Sequence, residues 1–77
     1  MFEIWDEQTG LLLAEGLADM TVARGRLDEL LGDVRRQVEA TGDSIAGMVL
    51  QWEIRDAATG AGVAWHWGEP GEYPGHQ

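Results

Sequence analysis

The chain has 77 residues, 44% of them hydrophobic, so it is long enough to build one core and too short for two. It contains no cysteine, which excludes a disulfide framework and a thiolate metal site. Its net charge is −9, with 14 acidic residues against 5 basic ones, and such a surface repels phosphate groups. We therefore expect one small acidic domain that binds neither nucleic acid nor a membrane directly.

The first predicted element is a β-hairpin with strands at about 2–6 and 11–16. Apolar and polar residues alternate in the first strand, the second is rich in apolar residues, and Asp6-x-x-Thr9-Gly10 lies between them. An Asp carboxylate accepts backbone N–H groups within such a loop, and glycine adopts the positive φ that ends it. The pattern therefore predicts a tight hairpin turn.

A single helix is predicted at about 20–41. Apolar residues recur there at steps of three and four, which places them on one helical face: Ala23, Leu27, Leu30, Leu31, Val34 and Val38. Asp19 or Thr21 is the expected N-cap, and Gly42 is the expected stop signal. Four arginines balance four acids in this segment, so the whole net charge of −9 lies outside the helix.

A second hairpin, with strands at about 48–55 and 61–67, repeats the first one at an offset of 50 residues. FEIWDEQTGLLLAEG aligns with WEIRDAATGAGVAWH, and the turn recurs as Asp56-x-x-Thr59-Gly60. Duplication and convergence on one turn explain this repeat equally well. Residues 68–77 contain two prolines and three glycines, which predicts a flexible C-terminal tail after a single domain of residues 1–67.

Strict alternation away from the two turns predicts which residues share a face of the sheet. The face that the helix would cover is predicted to hold Phe2, Ile4, Leu11, Leu13, Leu50, Trp52, Ile54, Val63, Trp65 and Trp67. The open face is predicted to hold Glu3, Trp5, Leu12, Ala14, Val49, Gln51, Glu53, Arg55, Ala64 and His66.

The order strand, strand, helix, strand, strand predicts an α+β fold, with a four-stranded sheet and one helix packed on one face. In this order residues 1–67, and most closely the segment WEIRDAATGAGVAWHW, resemble the β-grasp fold of ubiquitin-like proteins and of the immunoglobulin-binding domain of protein G. The resemblance implies that the first and fourth strands form a central parallel pair. It implies no conjugation, because the chain ends in Pro74-Gly75-His76-Gln77 rather than in Gly-Gly.

The segment FEIWDEQTGLLL is similar to the start of small uncharacterised actinobacterial proteins, a resemblance that implies no activity. The N-terminal residues lack the basic and apolar regions of a secretory signal. The longest apolar run, residues 11–14, is far shorter than a membrane span. We therefore expect a bacterial cytoplasmic protein.

No residue pattern indicates an enzyme. His76 lies in the predicted tail, and His66 has only Glu3 and Glu53 near it on the predicted open face as partners for a metal or for acid–base chemistry. Ser44 lacks the sequence context of a catalytic nucleophile. We therefore expect no catalytic residue, no metal and no cofactor.

Trp5 is the residue that core packing explains least, because alternation places it on the open face opposite Leu12. We predict an interaction surface of Trp5, Leu12, Val49, Arg55 and His66 that binds another protein or a second copy of the chain. The net charge of −9 favours one alternative, an acidic inhibitor or antitoxin-like mimic of nucleic acid. The other alternative is a small-molecule binder that uses the open face around His66.

Overall fold

The computed structural model describes residues 1–70 of the chain. Its elements follow in the order β1 (Phe2–Asp6), β2 (Leu12–Leu17), α1 (Met20–Ala40), β3 (Leu50–Asp56) and β4 (Gly62–Gly68). The strands form one antiparallel sheet, and the helix packs on one face of it. The predicted α+β class with the order ββαββ is confirmed. Most of the predicted tail, from residue 71 onward, lies outside the described residues.

The strands lie in the order β2-β1-β3-β4, so β1 and β3 form the central pair and run antiparallel. The central parallel pair of first and fourth strands, which the β-grasp resemblance implied, is wrong, because β4 pairs with β3 at an edge of the sheet. The observed register places Ile4 opposite Ile54 in the core and Glu3 opposite Arg55 on the other face. Both pairs favour this strand order, one by apolar contact and one by opposite charge.

The two hairpins are arranged symmetrically about Ile4 and Ile54. These two isoleucines are equivalent in the sequence repeat, and they form the middle one of the five pairs between β1 and β3. Each hairpin also has an irregularity at the same place, between Ile4 and Trp5 in the first and between Ile54 and Arg55 in the second. The sheet therefore has a local two-fold axis. The helix packs on one face of the sheet and does not share this symmetry.

Both predicted turns form, and they use corresponding hydrogen bonds. In each, the Asp N–H donates to the carbonyl five residues later at 2.9 Å, and the glycine N–H donates back to the Asp carbonyl. The Asp carboxylate accepts the N–H of Gln8 in the first turn and of Ala58 in the second. Gly10 and Gly60 have φ values of 73° and 76°, the left-handed region that glycine adopts without strain.

The helix begins after Asp19, whose carboxylate accepts the Val22 N–H at 2.9 Å. It ends at Ala40, and Gly42 just beyond it has a φ of 85°. The following Asp43 N–H donates to Val38 O at 3.2 Å. This Schellman arrangement satisfies carbonyls that the last turn of the helix leaves without a partner. No helix within residues 1–70 combines the length and the apolar character needed to cross a bilayer.

The core lies between the helix and one face of the sheet. Its buried apolar side chains are Ile4, Leu17, Ala23, Leu27, Leu31, Trp52, Ile54 and Ala64. Three of them come from the apolar stripe of the helix, at spacings of four residues that keep them on one side. Burial of each large aliphatic or aromatic side chain in this set stabilises the fold by about 1.5–3 kcal/mol.

The predicted faces of β4 are wrong, because its alternation is shifted by one residue. Ala64 and His66 are buried, whereas Trp65 and Trp67 are 38% and 64% exposed. Because these tryptophans pair with open-face residues of β3, they lie on the open face rather than in the core.

The cause of the shift is a β-bulge at Val63. Arg55 pairs with Gly62, but the preceding residue Ile54 pairs with Ala64, so Val63 is an extra residue in β4. A one-residue insertion moves every following side chain to the other face.

The same irregularity in the first hairpin corrects two further predictions. Trp5 pairs with Leu12, but Ile4 pairs with Ala14, so Leu13 is the extra residue there. Ala14 therefore packs against the core rather than on the open face, and Leu11, which precedes β2, is exposed rather than buried.

Candidate interaction surface

The face of the sheet opposite the helix carries the residues that alternate with the core. One row of paired residues crosses all four strands, and it consists of Leu12, Trp5, Glu53 and Trp65. Glu3 pairs with Arg55 on one side of this row, and Gln51 pairs with Trp67 on the other. These eight residues define the surface that we call the open face. It is aromatic and acidic, and three of the four tryptophans lie on it.

Side chains of the two central strands hold one another in place on the open face. The Trp5 indole Nε1–H donates to Glu3 Oε1 at 3.0 Å, and Arg55 Nε–H donates to Glu53 Oε1 at 2.5 Å. The Arg55 guanidinium lies over the Trp5 ring, 4.8 Å from its centroid, and its Nη2 also donates to Glu7. A cation above an indole face is attracted by the ring quadrupole, so Trp5 and Arg55 fix each other's orientation.

Glu53 links the central strands to the edge strand β4. Its second oxygen, Oε2, accepts the Trp65 indole Nε1–H at 2.8 Å. Burial raises the pKa of the Glu53 carboxyl, but the hydrogen bonds from Arg55 and Trp65 outweigh it, so the pKa lies below its ordinary value of 4.5. The hydrogen bonds to Glu53 and Glu7 raise the pKa of Arg55 in turn. The charged Glu53 carboxylate therefore orients the side chains of Arg55 and Trp65.

Gly62 provides the space that the Glu53 carboxylate occupies. A Cβ at this position would lie 2.7 Å from the Glu53 Cδ and 3.2 Å from the Trp65 Cζ2. The first distance is shorter than real Cβ contacts, so a side chain here would displace the carboxylate. The glycine thus leaves room for side-chain packing on the open face, and it does not adopt a positive φ.

The structure places Trp5, Leu12 and Arg55, three of the five predicted surface residues, together on the open face. Val49 is exposed and lies one residue before β3. The placement of His66 on this surface is wrong, because its side chain is 2% exposed and its Nε2 lies 2.9 Å from the Glu69 carbonyl oxygen.

Trp65 and Trp67 are the open-face residues that strict alternation missed. The available signal was Gly62, because a glycine inside a strand often marks a bulge. A predicted bulge next to Gly62 shifts the alternation of β4 by one residue and puts both tryptophans on the open face.

The residues considered for a metal or for acid–base chemistry are not brought together. His66 lies on the core face, whereas Glu3 and Glu53 lie on the open face. No three His, Cys, Asp or Glu residues in the described part of the chain could hold a metal ion. Opposite His66, the buried Trp52 indole N–H has no hydrogen-bond partner within residues 1–70.

A groove of about 400 Å³ lies away from the open face, at the C-terminal end of the helix. It is lined by Gln37, Val38, Thr41, Asp43, Ser44 and Met48. The hydroxyl of Thr41 contacts Val38 O at 2.7 Å and the Asp43 carboxylate at 3.2 Å. The Thr41 hydroxyl and the Asp43 carboxylate, two of the polar groups in this groove, therefore already bond each other.

Comparison of the chain with protein families, with curated proteins and with solved structures finds no match.

Proposed function

We propose that this protein is a non-enzymatic interaction module whose open face binds another protein. The observation that supports this most strongly is Trp67, which is 64% exposed on a face that the helix does not reach. A tryptophan can bury about 150–250 Å² of surface, so an exposed one forgoes a large stabilisation of the fold. Tryptophan is also among the residues most enriched at the energetic centres of protein interfaces.

The hydrogen bonds of the open face also favour binding. The indole groups of Trp5 and Trp65 are fixed by Glu3 and Glu53, at 3.0 Å and 2.8 Å. Side chains that are ordered before a partner arrives lose less conformational entropy on binding. A sheet face with fixed aromatic groups is therefore a favourable surface for a second protein.

The extent of the open face favours a protein partner over a small molecule. Small-molecule sites are concave and cover most of the ligand's surface. The open face is instead built from residues paired across four neighbouring strands, and the groove described above contains none of them. Binding on this face would therefore rely on a broad contact rather than on enclosure.

The experiment that tests the proposal is site-specific photo-crosslinking of the full chain in its native host. Benzoylphenylalanine replaces Trp67 in one variant, which keeps an aromatic group at this position. In the matched control it replaces Val22, an exposed apolar residue on the helix. We expect a discrete adduct from position 67 and none from position 22.

The mass of the adduct distinguishes a second copy of the chain from a different protein. Adducts of the same pattern from both positions would indicate non-specific contact and contradict the proposal. So would the absence of any adduct at position 67 when the variant is folded and expressed at the normal level.

A further inference from the structure

The open face already holds one guanidinium group, and its environment shows which chemistry this face accommodates. Arg55 lies 4.8 Å from the Trp5 ring centroid, donates to Glu53 at 2.5 Å and pairs with Glu7. Its side chain is only 30% exposed as a result. An aromatic ring on one side and carboxylates at the edge are the groups that bind a guanidinium most strongly.

This internal cation does not neutralise the open face. Glu3, Glu7 and Glu53 bring three carboxylates to this region, and Arg55 pairs with two of them, Glu7 and Glu53. The helix is neutral, so the net charge of −9 belongs to the sheet, the loops and the C-terminal residues. A cation that approaches the molecule is therefore drawn towards the sheet side rather than towards the helix.

Trp67 extends this surface beyond the carboxylates. It pairs with Gln51, and it lies two residues from Trp65, or about 7 Å along the strand. Its cross-strand neighbour Gln51 is uncharged, and the Arg55 guanidinium lies over the Trp5 ring rather than over Trp67. Indole is the aromatic group that attracts a cation most strongly.

We infer that the partner of the open face presents an arginine or lysine side chain next to apolar ones, as an exposed segment of a protein. The inference rests on the proposed function and adds the chemical class of the partner. The cation would lie over the Trp67 ring on the side of Glu53, the carboxylate diagonal to it across β3 and β4. The apolar neighbours would cover Leu12 and the remaining indole surface. The net charge of −9 disfavours a phosphate-bearing ligand.

The test is selection of short random peptides on the full-length protein, with the Trp67→Ala variant as the counter-target. Peptides retained by the wild type and lost by Trp67→Ala report on the open face. We expect them to be enriched in arginine or lysine flanked by apolar residues. Trp67→Ala should weaken a selected peptide roughly five- to thirtyfold, and replacing the peptide's arginine by uncharged citrulline should weaken it similarly.

A second variant changes affinity in the opposite direction. Arg55→Gln removes the internal guanidinium and releases the carboxylates of Glu53 and Glu7, so we expect it to bind cationic peptides more tightly than the wild type. Simple misfolding would instead weaken binding in both variants. Raised salt should weaken the selected peptides, because the attraction is partly electrostatic.

The outcomes separate this inference from the proposed function. Peptides that depend on Trp67 but are neutral or acidic would overturn the cationic partner and leave the interaction surface standing. Selection of no peptide that depends on Trp67 would count against both. Cationic peptides that bind equally well after Trp67→Ala would show attraction to net charge alone and would overturn the inference.

Discussion

Hairpin β1–β2 and hairpin β3–β4 share a turn, a bulge and a central isoleucine, but they differ in what they present on the open face. In the first, the indole of Trp5 donates to Glu3 two residues earlier. In the second, Arg55 takes the place of Trp5 and donates to Glu53 across the same two-residue step. The two hairpins therefore share one backbone arrangement, in which a neutral hydrogen-bond donor, Trp5, and a charged one, Arg55, occupy equivalent positions.

The outer strands of the two hairpins differ more than the central ones. β2 has a second irregularity between the pairs of Phe2 and Ile4, and Gly16 adopts a φ of 71° there. β4 pairs regularly from Ala64 to Gly68 after its single bulge. Its alternation therefore continues to the end of the strand and places Trp65 and Trp67 on the open face, whereas the sequence of β2 contains no tryptophan.

The largest expected effect tests the symmetry of the two hairpins. Ile4 and Ile54 are fully buried and paired at the local two-fold axis. We expect Ile4→Ala and Ile54→Ala each to lower the free energy of unfolding by about 2–5 kcal/mol, because each leaves a cavity. Denaturant unfolding of both variants measures this. A large loss for one and almost none for the other would show that the hairpins are not energetically equivalent.

The next effect tests the difference at Gly62, where the first hairpin has Leu12. Gly62→Ala should lower the free energy of unfolding by about 1–3 kcal/mol, because the new methyl group displaces the Glu53 carboxylate. In a Glu53→Ala background the same substitution should cost far less. If Gly62→Ala costs the same with and without Glu53, the steric explanation is wrong.

Gly25 offers a matched control for this substitution, because nothing lies within 4 Å of a Cβ built there. Since Gly25 is inside the helix, Gly25→Ala should raise stability by about 0.5–1 kcal/mol. Gly25 lies in the helix and Gly62 in β4, so each substitution is made within a regular element. We therefore expect the two substitutions to change the free energy of unfolding in opposite directions, a loss for Gly62→Ala and a gain for Gly25→Ala.

The smallest effect concerns the charged pair of the second hairpin and depends on pH. The pKa of Glu53 is lowered in the folded state, so its contribution to stability is present above the ordinary value of 4.5 and is lost as the pH falls through the folded pKa. We expect Glu53→Gln to be less stable than the wild type at pH 7, and the difference to shrink below about pH 4.5.

Glu3→Gln is the control for this charge effect. Its carboxylate accepts a neutral indole N–H instead of a guanidinium, so the loss at pH 7 should be smaller. Chemical unfolding across this pH range measures both variants. A difference between wild type and Glu53→Gln that stays constant with pH would contradict the role of charge in this pair.

Prediction from the sequence was accurate where a structure depends on residues close in the chain. The turns follow from an Asp whose carboxylate reaches the N–H two residues later. The helix start likewise follows from Asp19 and its bond to Val22. Of the candidate surface, Trp5, Leu12 and Arg55 were placed on the correct face, because alternation needs no information beyond the strand itself up to the first bulge.

What the sequence by itself determined is thus the set of elements: the α+β class, the order ββαββ and the two matched turns, all of which arise from local hydrogen bonds and local periodicity. What only the tertiary structure decided is the strand order and the face of each residue beyond a bulge. The strand order depends on which strands pair at Ile4 and Ile54. The faces in β4 depend on whether Val63 is excluded from the strand pairing. Both depend on contacts between segments that are far apart in the sequence. These contacts place His66 in the core and Trp65 and Trp67 on the open face.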